Sequence, residues 1–121
     1  MAGQELTERQ KIQRCANFMG WHEESIAPAC WMTADGEFAA FADDFVMEHR
    51  VIKAWNPITQ DEANTQILER LTERGFHIAV EYHKDDGEYE VAMAYRYAIG
   101  RHADFKAAVV EALVELTEPL D

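Results

Sequence analysis

The feature that most constrains the fold is a pair of alternating segments on either side of an Asp-Gly turn. Residues 76–83 (Phe-His-Ile-Ala-Val-Glu-Tyr-His) and 89–97 (Tyr-Glu-Val-Ala-Met-Ala-Tyr-Arg-Tyr) both alternate, and Asp86-Gly87 lies between them. Asp-Gly suits a two-residue hairpin turn, which requires φ > 0. The turn then pairs positions that sum to 173 and puts one set of side chains on a single face: Tyr82 with Val91, Val80 with Met93, Ile78 with Tyr95, and Phe76 with Tyr97.

Three helices are expected from apolar residues at helical spacing. Thr7 and Gln10 form a capping-box pattern before the first helix, and Gly20 follows its apolar stripe. Thr59 and Glu62 form the same pattern before the second helix, which Gly75 ends. The third helix is predicted from about Ala103 to Glu118 with Asp104 as N-cap. The expected buried residues are Ile12, Cys15, Ala16 and Met19; Ala63, Ile67, Leu68 and Leu71; and Phe105, Ala108, Val109, Ala112, Leu113 and Leu116.

Residues 22–57 allow two interpretations. In the favoured one, residues 29–34 and 37–41 are strands joined by a turn at Asp35-Gly36, and an irregular or partly helical stretch continues to Arg50. In the other, Asp35 begins a helix with Phe38, Phe41, Phe45 and Ile52 near one face. The pattern leaves open whether residues 38–54 are helix or strand.

The order of elements predicts an α+β fold. A helix, a hairpin, a helix, a second hairpin and a final helix (α-ββ-α-ββ-α) would give a small antiparallel sheet with helices packed on it. The length of 121 residues suits one domain spanning 1–121, because domains commonly have roughly 100–150 residues.

Charge and composition exclude several classes of protein. The 11 basic and 23 acidic residues give a net charge of −12, which argues against direct binding of nucleic acid or of an anionic membrane. No apolar run reaches the roughly 18 residues of a transmembrane helix. The polar, acidic N-terminus does not resemble a signal peptide, and two cysteines, Cys15 and Cys30, suit a reduced cytoplasmic protein.

The acidic residues themselves are one candidate interaction surface. A strongly acidic protein can dock on a basic, nucleic-acid-binding groove of another protein through long-range attraction, although net charge also serves solubility alone. The candidate residues are Asp43, Asp44, Glu48, Asp85, Asp86, Glu88 and Glu90.

A second candidate is an anion site just before the last helix. Arg96, Tyr97, Arg101 and His102 concentrate cationic and aromatic groups there, and a helix N-terminus attracts anions. Such a segment suits a phosphate or a nucleotide, whereas the simpler interpretation is a loop whose arginines offset the acidic surface.

Catalytic chemistry has little support in the sequence. His83, Glu81 and Glu90 can approach one another and have the residue types of a zinc site, but ordinary cross-strand His–Glu pairs on a solvated strand are the favoured interpretation. His77 lies roughly 20 Å from His83 along a strand and cannot share an ion with it. Cys15 falls on the apolar stripe, and no phosphate loop, dinucleotide fingerprint or Gly-x-Ser-x-Gly occurs. We therefore expect no catalytic residues, no bound metal and no cofactor.

Several short motifs resemble the phage ABA-sandwich domain family of small phage- and prophage-encoded proteins. They are Met19-Gly-Trp21 at the end of a helix, Trp31-Met-Thr-Ala-Asp-Gly-Glu37, Trp55-Asn-Pro-Ile-Thr59 before a helix, and the Glu73-Arg-Gly75 that ends it. The last helix begins Ala103-Asp-Phe-Lys-Ala, which departs from the family's pattern, and residues 38–54 look longer than expected. The resemblance implies a three-layer α/β/α sandwich that works in the host bacterial cytoplasm, with no general enzymatic activity.

The expected function is that of a non-enzymatic phage accessory protein. It would inhibit a host antiviral defence system by binding a host protein through the acidic surface, in the manner of an anti-CRISPR inhibitor. The alternatives are a sponge for a nucleotide immune signal that uses Arg96–His102, with oligomerisation allowed, and a metal-dependent enzyme that uses His83, Glu81 and Glu90.

Overall fold

A computed structural model describes residues 6–23, 30–33, 38–40, 45–47 and 50–117. The chain divides into two compact units, Met1–Asn56 and Pro57–Asp121, and each is described by itself.

The first unit begins with helix α1, Glu8–Phe18, and its start confirms the predicted cap. The Thr7 hydroxyl accepts from the Gln10 N–H at 3.1 Å, and the Gln10 side chain accepts from the Thr7 N–H at 2.8 Å. Gly20 follows the helix at φ +82°, a left-handed conformation that glycine adopts without steric cost. The predicted stripe is confirmed at Ile12, Cys15 and Ala16, and Phe18 joins it.

Five strands follow in the same unit. They are β1 (His22–Glu23), β2 (Cys30–Met32), β3 (Phe38–Ala40), β4 (Phe45–Met47) and β5 (Arg50–Ala54), in the sheet order β1-β2-β3-β5-β4. The antiparallel pairing of β2 with β3 confirms the first predicted pair of strands, whereas its turn at Asp35-Gly36 lies outside the described residues. The irregular or partly helical stretch predicted up to Arg50 is wrong at residues 45–47, which form β4 and pair with β5; β5 also pairs in parallel with β3.

Tryptophans join α1 to the strands in the core of this unit. Trp31 and Trp55 are buried, and their rings meet edge to face with 6.3 Å between centroids. The Trp31 indole N–H donates to Gln13 Oε1 on α1 at 2.9 Å, which satisfies its buried polar atom. Burial also raises the pKa of the Cys15 thiol to about 12, so the thiolate is scarce at neutral pH. Cys15 is therefore an inert core residue, as its position on the stripe predicts.

The second unit begins with helix α2, Asp61–Glu73, which differs from the prediction at its start. Its N-cap is Gln60 rather than Thr59, and no side chain caps it. Asp61 and Glu62 lie in the first turn, where negative charge is favourable to the helix dipole. The predicted buried face is confirmed at Ala63, Ile67 and Leu71.

Strands β6 (Ile78–His83), β7 (Glu88–Met93) and β8 (Ala98–His102) form an antiparallel sheet in the order β6-β7-β8. The hairpin of β6 and β7 is confirmed, but its register is displaced by two residues: Tyr82 pairs with Tyr89 and Ile78 with Met93, so paired positions sum to 171 rather than 173. The loop has four residues, 84–87, instead of two. Because the displacement is even, the predicted faces are preserved.

The predicted long strand to Tyr97 is wrong, because β7 ends at Met93 and the chain turns back into β8. Ala94, Tyr95 and Arg96 have φ of 55°, 54° and 72°, and the Tyr97 N–H donates to the Ala94 carbonyl at 3.2 Å. Positive φ at both central residues is the geometry of the type I′ hairpin turn, which usually carries Asn or Gly. No such residue is present here, which is why the sequence did not indicate a turn.

Ala94→Gly should stabilise the protein. Ala94 occupies the left-handed region, which costs an L-residue roughly 1–2 kcal/mol, while glycine adds unfolded-state entropy of roughly 0.5–1 kcal/mol. The expected gain in the free energy of unfolding is about 0.5–1 kcal/mol, measured by urea denaturation. Ala103→Gly is the matched control at an exposed residue without positive φ, and it should not stabilise. A loss at Ala94 as large as at Ala103 would contradict the prediction.

Helix α3, Phe105–Leu116, packs on the sheet and is two residues shorter at each end than predicted. Its burial on several sides is confirmed, since residues 107–110, Ala112 and Leu113 are all buried. Asp104 is the N-cap by position, but its side chain makes no cap bond; its N–H donates instead to His102 Nδ1 at 2.9 Å. A Cβ on Gly100 would lie 2.3 Å from the Ala108 carbonyl oxygen and 2.4 Å from the Ala112 nitrogen, so β8 and α3 are in backbone contact there.

Buried Asn64 links α2 to α3. Its amide donates to the carbonyls of Pro57 at 3.0 Å and Lys106 at 3.2 Å. Lys106 Nζ lies 2.9 Å from Asp61 Oδ1, and this bond raises the pKa of the lysine.

The described part of the chain is α+β, with three helices, an antiparallel sheet (β6–β8) and a mixed sheet (β1–β5). The observed order is α1, five strands, α2, three strands and α3, so both predicted hairpins are present within larger sheets. None of the described helices is long and apolar enough to cross a membrane.

Candidate functional site

One face of the β6–β8 sheet carries five of the predicted site residues. Glu81, Glu90 and Arg101 are neighbours across the three strands, and His83 pairs with Glu88 beside them. Side chains alternate along a strand, so these five residues share one face, which we call the charged face. The opposite face carries Val91 and Gly100, against which α3 packs.

Glu81, His83 and Glu90 form a cluster on the charged face. His83 Nε2 lies 3.3 Å from Glu90 Oε1 and 3.9 Å from Glu81 Oε1. One ligand atom from each residue lies within 4.8 Å of the other two. Within the described part of the chain, His83 Nε2 is buried and forms no hydrogen bond, although it lies within ion-pair distance of Glu90. The proximity of these three residues, expected from the alternating pattern, is therefore confirmed.

Arg96 fixes the other oxygen of Glu90. Its guanidinium donates to Glu90 Oε2 at 3.0 Å, and only 11% of the Glu90 side chain is exposed. This hydrogen bond is the main reason that the pKa of Glu90 lies below its ordinary value; partial desolvation opposes it, and the charges of Arg96 and His83 assist. Glu90 is therefore a carboxylate at neutral pH, with Oε1 directed to His83 and Oε2 to Arg96.

The structure separates the members of the predicted anion segment. Arg96 lies in the β7–β8 turn and binds Glu90, while Arg101 Nη2 on β8 lies 2.8 Å from Asp86 Oδ2 and 3.7 Å from Glu88 Oε1. His102 follows Arg101 in the strand and faces the opposite side, where it pairs with Tyr89. Tyr97 is largely exposed in the turn. Both arginines are thus paired with carboxylates, and the four residues do not form one cradle.

The predicted acidic residues divide into two groups. Asp43, Asp44 and Glu48 lie outside the described residues. Asp85, Asp86, Glu88 and Glu90 lie in the β6–β7 loop and on β7, and the last three contact Arg101 or Arg96. The carboxylates and arginines that the sequence assigned to two separate sites are therefore ion-paired with one another.

The free edge of β6 is a feature that sequence reasoning missed. Among the described strands β6 pairs only with β7, and Val80 and Tyr82 are 51% and 54% exposed. Near the start of the strand, exposed Tyr95 stacks on His77 with 4.5 Å between ring centroids. Tyr82 and Val80 fit the alternation of a buried face, so the pattern alone does not separate a covered strand from an edge strand.

No protein-family model, no curated protein and no solved structure matches the chain.

Proposed function

We propose that this protein is a non-enzymatic, phage-encoded accessory protein that inhibits a host antiviral defence system by binding a host protein in the bacterial cytoplasm. The observation that carries the proposal is the unpaired, partly apolar edge of β6 beside a row of carboxylates. A net charge of −12 favours a basic partner, such as a protein that itself binds nucleic acid. The three-layer sandwich implied by the family resemblance is part of this proposal.

The backbone of β6 is oriented to accept another strand. The His77 carbonyl accepts from the Ala94 N–H at 2.8 Å, and His77 and Ala94 are opposite each other in the ladder. Bonded and non-bonded pairs alternate in an antiparallel ladder, so Ala79, Glu81 and His83 bond to β7. The N–H and C=O groups of Ile78, Val80 and Tyr82 consequently point to the free edge, where an extended segment of a partner can bond to them.

Side chains at this edge favour a partner that is basic as well as extended. Val80 and Tyr82 offer apolar contacts at alternate positions, as strand addition requires. Glu81 on the strand, and Asp85 and Asp86 in the following loop, are exposed carboxylates. Their attraction for Lys and Arg would steer association and weaken as salt shortens the Debye length, from about 10 Å at 0.1 M to about 3 Å at 1 M.

Recovery of partners from bacterial lysate at low and high salt tests this function. Tagged wild-type protein should retain one stoichiometric basic partner at low salt and lose it at high salt. Val80→Lys places a cation in the middle of the edge and should lose the partner at low salt too. Thr65→Lys adds the same charge at an exposed position on α2 and should retain it.

Two results would contradict the proposal in different ways. A partner retained equally by Val80→Lys and wild type would place the interface away from β6. Absence of any partner at either salt would reject protein binding, and a thermal-shift panel of cyclic and linear nucleotides would then test the nucleotide alternative, with Arg101→Ala as the variant expected to lose any shift.

A further inference from the structure

We propose that Glu81, His83 and Glu90 form a binding site for one divalent transition-metal ion of the Zn²⁺ type. This proposal does not rest on the proposed protein partner, although Glu81 belongs to both surfaces. It consists of one imidazole nitrogen and two carboxylate oxygens, which are atom types that zinc accepts as ligands.

The strand geometry places the three ligands together without distortion. Glu81 and His83 are two residues apart on β6 and share a face, and Glu90 is the partner of Glu81 on β7. Zinc holds such ligands at about 2.0–2.2 Å, which puts them roughly 3.4 Å from one another. The His83 nitrogen is already 3.3 Å from Glu90 and 3.9 Å from Glu81. Glu81 has 62% of its side chain exposed and is free to close the remaining gap.

A buried nitrogen atom of this cluster lacks a hydrogen-bond partner. Among the described residues His83 Nε2 finds none, although buried polar atoms are satisfied in the large majority of cases. A metal ion would occupy the nitrogen lone pair and remove the cost of burying it.

Arg96 holds Glu90 in position through a hydrogen bond, as residues that bond to metal ligands do in established metal sites. It bonds Oε2 at 3.0 Å and leaves Oε1 facing His83, so the ligand oxygen is oriented before an ion binds. Three protein ligands leave a fourth tetrahedral position for water or for a side chain of another molecule. The competing arrangement is a protonated His83 that forms ion pairs with both carboxylates, which needs no metal.

Calorimetric titration of the chelator-treated full chain with ZnCl₂ near neutral pH distinguishes the two arrangements. Wild-type protein should bind one zinc ion at this site, and His83→Gln should weaken binding about tenfold or more. His77→Gln is the matched control, because His77 immediately precedes the same strand, stacks on Tyr95 and is not part of the cluster. Its affinity should equal that of wild type.

Nitrogen NMR of the histidines adds a readout that does not depend on affinity. Zinc should shift the His83 Nε2 resonance and leave those of His77 unchanged. The proposal is overturned if wild type binds no zinc, if His83→Gln binds as tightly as wild type, or if His77→Gln weakens binding equally. Glu81→Gln, on an exposed side chain, should weaken binding without unfolding the protein and covers the case in which His83→Gln fails to fold.

Discussion

Gly100→Ala should destabilise the second unit by about 3 kcal/mol or more, because overpacking against rigid backbone is among the costliest small changes in a core. The added methyl group would lie 2.3 Å from the Ala108 carbonyl oxygen and 2.4 Å from the Ala112 nitrogen. Both atoms belong to the backbone of α3, so no side-chain rotation relieves the overlap. Helix α3 must move away from β8, which loosens its packing on the sheet. Urea denaturation followed by circular dichroism measures the loss.

Gly87→Ala is the matched control for Gly100→Ala. Gly87 has a φ of +67° and nothing within 4 Å of an added Cβ, so alanine there meets only backbone strain. The expected cost is about 1–2 kcal/mol, smaller than at Gly100. Equal losses at both positions would contradict the close approach of α3 to β8.

Asn64→Asp should cost about 3–5 kcal/mol near neutral pH, because it buries an uncompensated charge and removes two hydrogen bonds. The Asn64 amide donates to two carbonyls, and only 3% of the residue is exposed. A carboxylate cannot donate, so three acceptors would face one another. Protonation restores one donor, and the loss should therefore diminish as the pH falls towards about 4.

Asn17→Asp provides the same chemical change at an exposed position. Its Oδ1 accepts from the Gln13 amide at 2.9 Å, a bond that an aspartate keeps. The change in unfolding free energy should stay within about 1 kcal/mol, with the helix dipole as the main source of loss. If Asn64→Asp were equally mild and independent of pH, the bridge between α2 and α3 would be wrong.

The parts of the fold predicted correctly are those in which local chemistry and long-range packing agree. The Thr7–Gln10 cap, the buried face of α1 and the faces of the β6–β7 hairpin all follow from short patterns that the tertiary structure reinforces. The predicted register of β6 with β7 was wrong by two residues. His83 and Glu88 close a loop of four residues, whereas Asp86-Gly87 suggested a loop of two. An even displacement leaves every side chain on its predicted face.

Strands β4, β5 and β8 were missed for two different physical reasons. Phe45–Met47 has only three residues, too few for an alternating pattern to be recognised. Arg50–Ala54 forms a strand because it pairs with both β3 and β4, and pairing with residues distant in the sequence leaves no local pattern. Strand β8 was not predicted because the turn before it was not recognised: Ala94–Arg96 adopt left-handed backbone conformations without a glycine or asparagine. Contacts made elsewhere, Tyr95 on His77 and Arg96 on Glu90, stabilise that turn.

The candidate site was predictable in part. The two-residue period of a strand predicts that Glu81, His83 and Glu90 lie close together, because their proximity depends only on alternation and antiparallel pairing. Alternation did not predict the pairing of Arg96 with Glu90, or of Arg101 with Asp86, because Arg96 lies in the unrecognised turn and Arg101 lies beyond it. The arginines of one candidate site therefore pair with carboxylates of the other.

The free edge of β6 also exposes the protein to aggregation through strand pairing between copies. Residues 78–82 read Ile-Ala-Val-Glu-Tyr, so Glu81 supplies the single charge within a run of high strand propensity. A charged side chain on an exposed edge strand is a common means by which proteins prevent edge-to-edge pairing of strands and the aggregation that follows. We therefore expect Glu81 to act as a gatekeeper that keeps this edge from pairing with the same edge of another copy when the protein is concentrated.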